Sequence, residues 1–221
     1  MGNSIAIDGP AGAGKSTIAK LVAKELGFIY VDTGAMYRAM ALYLIRKGID
    51  RNDSAQIEKA CEDADISISY EDGKQVVLLF NENVNDYLRT EEVGNMASIS
   101  SANPKVREKL VALQQKLAAQ KDVVMDGRDI GTVVLPDSKC KIYLTASAHV
   151  RAKRRYDELV LKGEKADLSK IEADITERDE RDMTREHSPL KQAEDAVVID
   201  SSDMSVEEVK DAILAEAKKR L

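Results

Sequence analysis

The sequence contains little of what marks secreted, membrane-spanning or nucleic-acid-binding proteins. Only two of its 221 residues are cysteines, Cys61 and Cys140, which is too few for a disulfide framework. The longest apolar runs, residues 39–45 and 76–80, are far shorter than the roughly 20 residues that a membrane-spanning helix needs. The formal net charge of −6 argues against nucleic acid as the main partner. No charged-then-apolar leader precedes the first predicted strand, so we expect a cytoplasmic protein with no membrane partner.

A glycine-rich loop stands near the start of the chain. The stretch DGPAGAGKST, residues 8–17, contains the pattern G-x-x-x-x-G-K-[ST] between a buried strand and a helical pattern. Its glycines let backbone N–H groups converge on phosphate oxygens, Lys15 adds a full positive charge, and the Ser16 hydroxyl can ligate Mg²⁺. The pattern predicts a nucleoside triphosphate site formed by Gly9, Pro10, Ala11, Gly12, Ala13, Gly14, Lys15, Ser16 and Thr17. It does not specify the reaction, because motors, switches and kinases share this loop.

Apolar, β-branched segments alternate with longer helical patterns along most of the chain. We predict strands at residues 4–7, 28–31, 123–125, 140–144 and 196–199. We predict helices at residues 15–26, 35–47, 104–120, 148–161 and 206–219, and capping boxes that begin at Ser169 and Ser205. Strands that alternate with helices indicate an α/β protein, with a five-stranded parallel sheet covered by helices on both faces.

Two segments interrupt this alternation. Ile66, Ile68 and Tyr70 alternate with serines, and Asp72-Gly73 then turns the chain into a second apolar segment, which predicts a β-hairpin outside the parallel sheet. From residue 151 to residue 187, charges of both signs are dense and nearly balanced. This segment is either a solvated helical surface or a polar lid that closes on phosphates, and the pattern alone leaves both open.

Charged residues follow the predicted ends of two strands, where open parallel sheets bind their ligands. Arg38 lies in DTGAMYR after the second strand, and Asp126 and Arg128 lie in DGRDIG after the third. Two arginines beside a triphosphate loop suggest a second phosphate, held by bidentate hydrogen bonds. Asp126 stands where P-loop proteins place a carboxylate near Mg²⁺.

Further charged residues lie on two predicted helices. Arg178, Arg181, Asp182 and Arg185 are separated by offsets of three, four and seven, which predicts one shared stripe on the helix that begins near residue 169. They could pair only with each other, or their surplus positive charge could meet a transferring phosphoryl group. Arg107 is anomalous because it stands in the first turn of its helix, where the helix dipole disfavours a cation. Local rules tend to be broken at functional sites.

Six motifs together are specific to one family. They are IDGPAGAGKST, VDTGAMYR, NMASISSANPKVR, DGRDIGTVVLPD, KIYLTAS and ERDERDMTREHSPL, in this order. With them the chain resembles the bacterial cytidylate (CMP/dCMP) kinases, a branch of the P-loop nucleoside monophosphate kinases, over essentially its whole length. The resemblance implies a P-loop kinase fold with a core domain at residues 1–61, 89–150 and 189–221. It also implies a monophosphate-binding insertion at residues 62–88, containing the hairpin, and a helical lid at residues 151–188.

The resemblance also implies the reaction and the parts played by individual residues. It implies transfer of a phosphoryl group from ATP to CMP or dCMP with Mg²⁺ as cofactor, and catalytic roles for Lys15, Arg128, Arg178 and Arg185. Ser16 and Asp126 would hold the metal, directly or through water, and Arg154 would lie by the ATP base. The implied acceptor contacts are Arg38, Arg128 and Arg185 at the phosphate, Ser98, Arg107 and Asp129 at the cytosine edge with Thr33 nearby, Asp182 at the sugar, and Arg178 near the transferring group. Thr33 stands where some members carry Ser, which retains the hydroxyl. We expect the protein to be a monomer.

Other P-loop proteins fit the sequence less well. A guanine-binding switch would carry D-x-x-G and N-K-x-D signatures, and the sequence has neither. A non-catalytic ATP-binding module would lack the arginine stripe. The alternative is a P-loop kinase of another small metabolite, or of another nucleotide such as UMP. A kinase of a non-nucleotide metabolite would need neither the hairpin insertion nor a base-reading set of residues. The sequence leaves the preference between CMP and dCMP open.

Overall fold

The structure of the protein is a computed structural model that describes residues 2–221. Its helices are Lys15–Leu26 (α1), Thr33–Arg46 (α2), Ser54–Asp63 (α3), Glu91–Ser100 (α4), Pro104–Gln120 (α5), Ala148–Leu161 (α6), Leu168–Thr184 (α7) and Val206–Arg220 (α8). Its strands are Ser4–Asp8 (β1), Ile29–Asp32 (β2), Ile66–Glu71 (β3), Lys74–Leu79 (β4), Glu82–Asn83 (β5), Val123–Gly127 (β6), Cys140–Thr145 (β7) and Val197–Asp200 (β8). A 3₁₀ turn at Asn85–Tyr87 and a π-helical turn at Ile130–Val134 complete the regular structure.

The main sheet is the predicted five-stranded parallel sheet. Its strand order is β2-β6-β1-β7-β8, so β1 lies at the centre and the glycine-rich loop leaves from the middle of the carboxyl edge. Four of the five strands continue one residue further in the carboxyl direction than their apolar patterns predict, and β6 continues two residues further. The added residues include Asp8, Asp32 and Gly127, whose backbones still pair with neighbouring strands. The backbone pairing of the sheet therefore extends to the edge at which the polar motifs lie.

Two apolar cores cover the two faces of this sheet. The period of two along β1 sends Ile5 and Ile7 to one face, where α1 and α8 pack, and Ala6 to the other. On that second face α2 and α5 pack against Val31 and Met125. Helices therefore cover both faces, as the sequence predicts.

The hairpin also forms as predicted. Strands β3 and β4 pair antiparallel around Asp72 and Gly73, whose φ angles of 50° and 72° are those of a two-residue hairpin turn. The short strand β5, which the sequence pattern did not indicate, adds a third strand. Gln75 fixes the hairpin to the main sheet, because its side-chain amide accepts from the Asp32 N–H at 2.9 Å and donates to the Asp32 carbonyl at 3.1 Å. The apolar side chains of β3 and β4 share the core beneath α2.

The charged segment folds into α6 and α7, but two details of its prediction are wrong. The cap of α7 is Asp167, whose carboxylate accepts from the Lys170 N–H at 3.1 Å, and so Ser169 does not begin a capping box. The helix also ends at Thr184, and Arg185 lies just beyond it in extended backbone. The four charged residues therefore do not form one helical stripe.

Helices α3 and α4 were not predicted from the sequence, because each is short and lacks a long apolar repeat. Their capping residues were the available signal. The side chains of Asp53 and Thr90 accept from Gln56 N–H and Val93 N–H. The predicted capping box at Ser205 does form, with Glu208. Within residues 2–221, every helix is too short or too polar to cross a bilayer.

Candidate active site

The glycine-rich loop has the backbone that its motif predicts. At Gly9, where φ is 149°, an added Cβ would lie 1.9 Å from the Leu144 carbonyl oxygen, so only glycine fits. Gly14 caps α1 in the left-handed conformation with φ 84° and brings no side chain to the first turn. The Thr17 N–H donates to the Gly14 carbonyl oxygen, but no side chain caps the N–H groups before it. Those groups are open to an anionic ligand, and the helix dipole adds positive potential there.

Lys15 lies at the centre of the loop and is almost fully buried. Its Nζ donates to the Pro10 carbonyl oxygen at 2.7 Å. Burial, together with the nearby positive charge of Arg128, lowers the pKa of Lys15 to about 7, against the attraction of Asp126 and Asp8. A buried cation in this state gains strongly from a polyanionic ligand.

Asp126, at the end of β6, gathers two hydroxyl groups. Ser16 Oγ donates to one carboxylate oxygen at 2.9 Å, and the Tyr30 hydroxyl donates to the other at 2.7 Å. Burial, and then repulsion from Asp32, raises the pKa of Asp126. Within residues 2–221, no group of three or more His, Cys, Asp or Glu side chains is placed to hold a metal ion. An oxygen-seeking cation at Asp126 would therefore need ligand or water oxygens to complete its shell.

A cavity of about 620 Å³ opens beside the loop. Its walls come from residues 12–18 and from Arg151, Arg154, Met204 and Val206. Arg154 is held in this wall by a hydrogen bond from its Nη2 to the Ser201 carbonyl oxygen, at 2.6 Å. The cavity is large enough for a mononucleotide, and it combines apolar walls with cationic side chains.

On the other side of Lys15, Arg107 and Asp129 form a buried ion pair. Arg107 reaches from the first turn of α5 and also donates to the Ser101 carbonyl oxygen at 3.1 Å. Its guanidinium carbon lies 5.4 Å from the centre of the Tyr37 ring. The pairing explains why a cation is tolerated at this helix start, since Asp129 offsets the unfavourable dipole.

A second ion pair joins α7 to the sheet edge. Arg128 Nε donates to Asp182 Oδ2 at 2.7 Å, and Asp182 is buried. Burial opposes the charge of Asp182, but the attraction of Arg128 prevails and lowers the pKa of this carboxyl. Nearby, Arg38 pairs with Asp32 at 3.3 Å and Arg185 Nε donates to the Ser188 carbonyl oxygen at 2.7 Å.

Several buried polar atoms at this end of the site lack a hydrogen-bond partner among residues 2–221. They are Arg38 Nε, Arg107 Nε, Arg178 Nε, Arg185 Nη2, the Tyr37 hydroxyl and Gln114 Nε2. Burial, and then repulsion from Arg128, lowers the pKa of Arg178. Unsatisfied donors are costly to bury, so this concentration of guanidinium groups indicates a site for an anion.

Comparison with known proteins decides the family. A family model described as cytidylate kinase matches residues 5–219. The chain belongs to the cytidylate kinase family. A cytidylate kinase of Caldicellulosiruptor bescii is 52% identical over 211 residues, which are 96% of this chain and 93% of that protein. A cytidylate kinase of Streptococcus sanguinis is 50% identical over 216 residues, covering 97% and 96% of the two chains.

The fold agrees with this family. A crystal structure of an uncharacterized protein from Eubacterium ventriosum aligns with a TM-score of 0.54 over 99% of both chains, at 13% identity, which shows a shared fold alone. The five-stranded parallel sheet with its central phosphate-binding loop is the P-loop kinase fold. Members of the cytidylate kinase family are phosphotransferases, and this chain is one of them.

Within this cytidylate kinase fold, the predicted site residues gather along one edge of the sheet. Lys15, Ser16 and Asp126 lie together, and Arg107 contacts Asp129 as Arg128 contacts Asp182. Two hydroxyls are already engaged by protein groups. Thr33 Oγ1 donates to the Asp126 carbonyl oxygen at 2.7 Å, and Ser98 Oγ accepts from Arg181, at 3.2 Å. Arg181 is exposed and pairs with Glu177, so it lies apart from the inward-facing Asp182.

Three residues of the site were missed by reasoning from the sequence. Asp8 is buried and holds two backbone N–H groups of the turn after Asp129. Arg151 and Asp179 form a buried ion pair between α6 and α7 at 2.6 Å, and Arg151 also donates to the Ala11 carbonyl oxygen at 2.8 Å. The signal for Asp8 was its place directly before the loop. The other two lie in a charge-rich segment, where nothing in the pattern separates buried charges from solvated ones.

Proposed function

We propose that the protein transfers the γ-phosphoryl group of ATP to the phosphate of CMP or dCMP, giving ADP and CDP or dCDP. The observation that carries this proposal is the buried cluster of guanidinium groups with unsatisfied N–H donors, next to the lysine of a phosphate-binding loop. Two phosphate-binding regions side by side suit a reaction between two nucleotides. The acceptor phosphate is already ionised, so positioning and charge neutralisation supply most of the catalysis.

On the donor side, the loop N–H groups and Lys15 bind the triphosphate, and the cavity beside Arg154 receives the base. Mg²⁺ is the metal that fits. Ser16 and Asp126 offer it oxygen ligands, directly or through water, and the nucleotide phosphates supply the rest. When bound, the ion neutralises phosphate charge. Lys15, freed from the Pro10 carbonyl, places its charge against the transferring group.

On the acceptor side, Arg38, Arg128 and Arg185 bind the phosphate of the substrate. Each guanidinium is oriented by a contact that one of its nitrogens makes with the protein. Arg38 contacts Asp32, Arg128 contacts Asp182, and Arg185 contacts the Ser188 carbonyl oxygen. Arg38 and Arg185 also keep a buried unsatisfied nitrogen that a phosphate oxygen can reach. Arg178 carries charge between the two phosphates, where burial, and then repulsion from Arg128, lowers its pKa.

Base selection rests on Arg107 and Asp129, with Ser98 at the edge of the base and Thr33 nearby. Cytosine presents an amino donor beside N3 and O2 acceptors, which match a carboxylate and a guanidinium. Uracil would place a carbonyl oxygen opposite the buried Asp129 carboxylate, which is repulsive. This mismatch disfavours UMP as the preferred acceptor.

The lid and the insertion complete the site. We assign residues 151–188 to the lid, residues 62–88 to the monophosphate-binding insertion, and residues 1–61, 89–150 and 189–221 to the core. Asp182 on the lid accepts hydrogen bonds from the sugar of the acceptor. Closure of α7 on the sheet edge excludes water from the phosphoryl group. We expect the protein to act as a cytoplasmic monomer, without nucleic-acid or membrane partners.

The test is a coupled assay of ADP release with ATP and Mg²⁺, offering CMP, dCMP, UMP, AMP and shikimate in turn. We expect turnover with CMP and dCMP far above that with the other three compounds. The variants Asp129→Ala and Arg107→Ala should lose far more activity on CMP than on UMP, so that the CMP:UMP ratio of kcat/KM narrows. Lys105→Ala is the matched control, since Lys105 lies exposed in the same helical turn and pairs only with Glu108. Shikimate or AMP as the best acceptor would refute the proposal, and an unchanged ratio in both variants would refute the base-reading assignment.

A further inference from the structure

Asp8 lies between the two halves of the site and is used by neither half of the proposed reaction. It is the last residue of β1, directly before Gly9, and its side chain is buried. Asp8 Oδ1 accepts from the Ile130 N–H at 2.7 Å, and Asp8 Oδ2 accepts from the Gly131 N–H at 2.7 Å. Both oxygens of this buried carboxylate therefore accept hydrogen bonds from two consecutive backbone N–H groups, which lie 122 and 123 residues away along the chain.

These two N–H groups begin the π-helical turn that follows Asp129. Asp129 occupies the capping position of this turn, and aspartate is a residue that ordinarily caps with its own side chain. Here its side chain makes no capping hydrogen bond, and its carboxylate pairs with Arg107 instead. Asp8, on β1, therefore accepts the capping hydrogen bonds that the Asp129 side chain does not make.

We infer that Asp8 is a positioning residue for acceptor recognition, which occupies the N–H groups of Ile130 and Gly131 and so leaves the Asp129 carboxylate turned toward Arg107 and the base. This inference rests on the proposed function, because it assigns Asp8 a part in reading CMP. Without Asp8 those N–H groups would lack their acceptor, and Asp129, at the capping position of the same turn, is the residue whose carboxylate would ordinarily accept from them. Asp129 would then turn back onto its own backbone and leave the base.

The surroundings of Asp8 show that this arrangement is not built for stability alone. Burial raises the pKa of Asp8 to about 6, with Asp129 adding repulsion, while its two backbone hydrogen bonds and Lys15 oppose the shift. Lys141 packs beside Gly131 on the same side, and Tyr143 is the register neighbour of Asp8 in β7. Keeping a carboxylate ionised here costs stability, which is the pattern expected where a site demands the charge.

The test is Asp8→Asn, which has nearly the same shape but offers one acceptor oxygen and turns its amide donors toward the other N–H group. We expect kcat/KM for CMP to fall by roughly tenfold to a hundredfold, the range for losing a charged hydrogen bond, with KM for ATP changed far less. The CMP:UMP ratio should narrow. In an Asp129→Ala background, Asp8→Asn should narrow that ratio no further, because its effect passes through Asp129. Asp122→Asn is the control, since Asp122 is exposed, also accepts from a backbone N–H, that of Asn3, and lies before the start of β6, at the opposite edge of the sheet from the site.

If Asp8 had a purely structural role, Asp8→Asn would lower kcat/KM for CMP and for UMP by the same factor. If Asp8 and Asp129 acted independently, Asp8→Asn would change the CMP:UMP ratio by the same factor, to within about twofold, in the wild type and in Asp129→Ala. Either result overturns the inference. Wild-type protein that fails to phosphorylate CMP would instead overturn the proposed function. If Asp8→Asn does not fold, the CMP:UMP ratio of the wild type is measured from pH 8 to pH 5. Both substrates carry the same phosphate, so its titration cancels in the ratio. A ratio that narrows below about pH 6 supports the inference, and a constant ratio overturns it.

Discussion

The buried ion pair between Arg151 and Asp179 gives the most quantitative prediction. Arg151 Nη2 lies 2.6 Å from Asp179 Oδ2, and both side chains are less than 10% exposed, at 6% and 9%. Arg151 also donates to the carbonyl oxygens of Ala11 and Ala146, each at 2.8 Å. The pair therefore ties α7, through α6, to the backbone of the glycine-rich loop.

Replacing Asp179 by alanine would leave a buried guanidinium without its counter-charge. Breaking a buried pair in this way costs about 3–5 kcal/mol. Asp179 Oδ1 has no hydrogen-bond partner among residues 2–221, so the pair is incompletely compensated and we take the lower end, about 3 kcal/mol. For a chain of this size, each kcal/mol lowers Tm by roughly 2–4 °C, so we expect Asp179→Ala to lower Tm by about 6–12 °C.

The assay is thermal unfolding followed by circular dichroism, combined with steady-state kinetics at a temperature where the variant stays folded. Asp174→Ala is the matched control, because Asp174 is exposed on the same helix. The double variant Arg151→Met/Asp179→Leu should recover much of the lost Tm, since apolar residues can replace a buried pair, but it should not recover kcat if the tie positions the lid. A Tm for Asp179→Ala equal to that of Asp174→Ala would refute the reasoning.

Three further predictions follow from the site and the lid. Lys15→Ala should lower kcat by about 10²–10³ or more while the protein stays folded by circular dichroism, and near-normal turnover would rule out phosphoryl transfer at this loop. Arg178→Ala should lower kcat with little change in nucleotide KM, and Asp182→Ala should raise KM for CMP and for dCMP by different factors. Arg185→Ala should weaken the binding of CMP and dCMP by the same factor. Wild-type kinetics in all three variants would refute the lid assignment. Because burial raises the pKa of Asp8 from 3.8 to about 6, the folded state binds this proton more tightly than the unfolded state. Urea unfolding should therefore show the wild type gaining stability relative to Asp8→Asn as pH falls from 6 toward 4, and a loss over that range would contradict the assignment.

The sequence alone was sufficient for most of the fold. The five parallel strands, the hairpin at Asp72-Gly73 and the phosphate-binding loop all follow from patterns that span a few residues. Backbone hydrogen bonding repeats over two residues in strands and about four in helices, so a local pattern of apolar residues carries that information. Short elements such as α3 carry less of it, and only their capping residues, such as Asp53, marked them.

The end of α7 shows where local pattern stopped being informative. The spacing of Arg178 and Arg185 favours a helix that includes both residues, but the helix ends at Thr184. The Leu190 N–H bonds back to the Asp182 carbonyl oxygen at 2.8 Å, and Ser188 adopts a positive φ of 51°. This turn leaves Arg185 outside the helix, where its Nε donates to the Ser188 carbonyl oxygen.

Tertiary structure alone decided which charged groups meet. Nothing in the sequence separates Asp182, paired with Arg128, from the exposed acids around it, or marks Asp8 as the partner of a turn more than a hundred residues away. Such partners are set by where the carboxyl ends of β1 and β6 converge and by where α7 folds back over them. In that low-dielectric edge, each buried charge must find a counter-charge or a hydrogen-bond donor, and the fold determines which one is within reach.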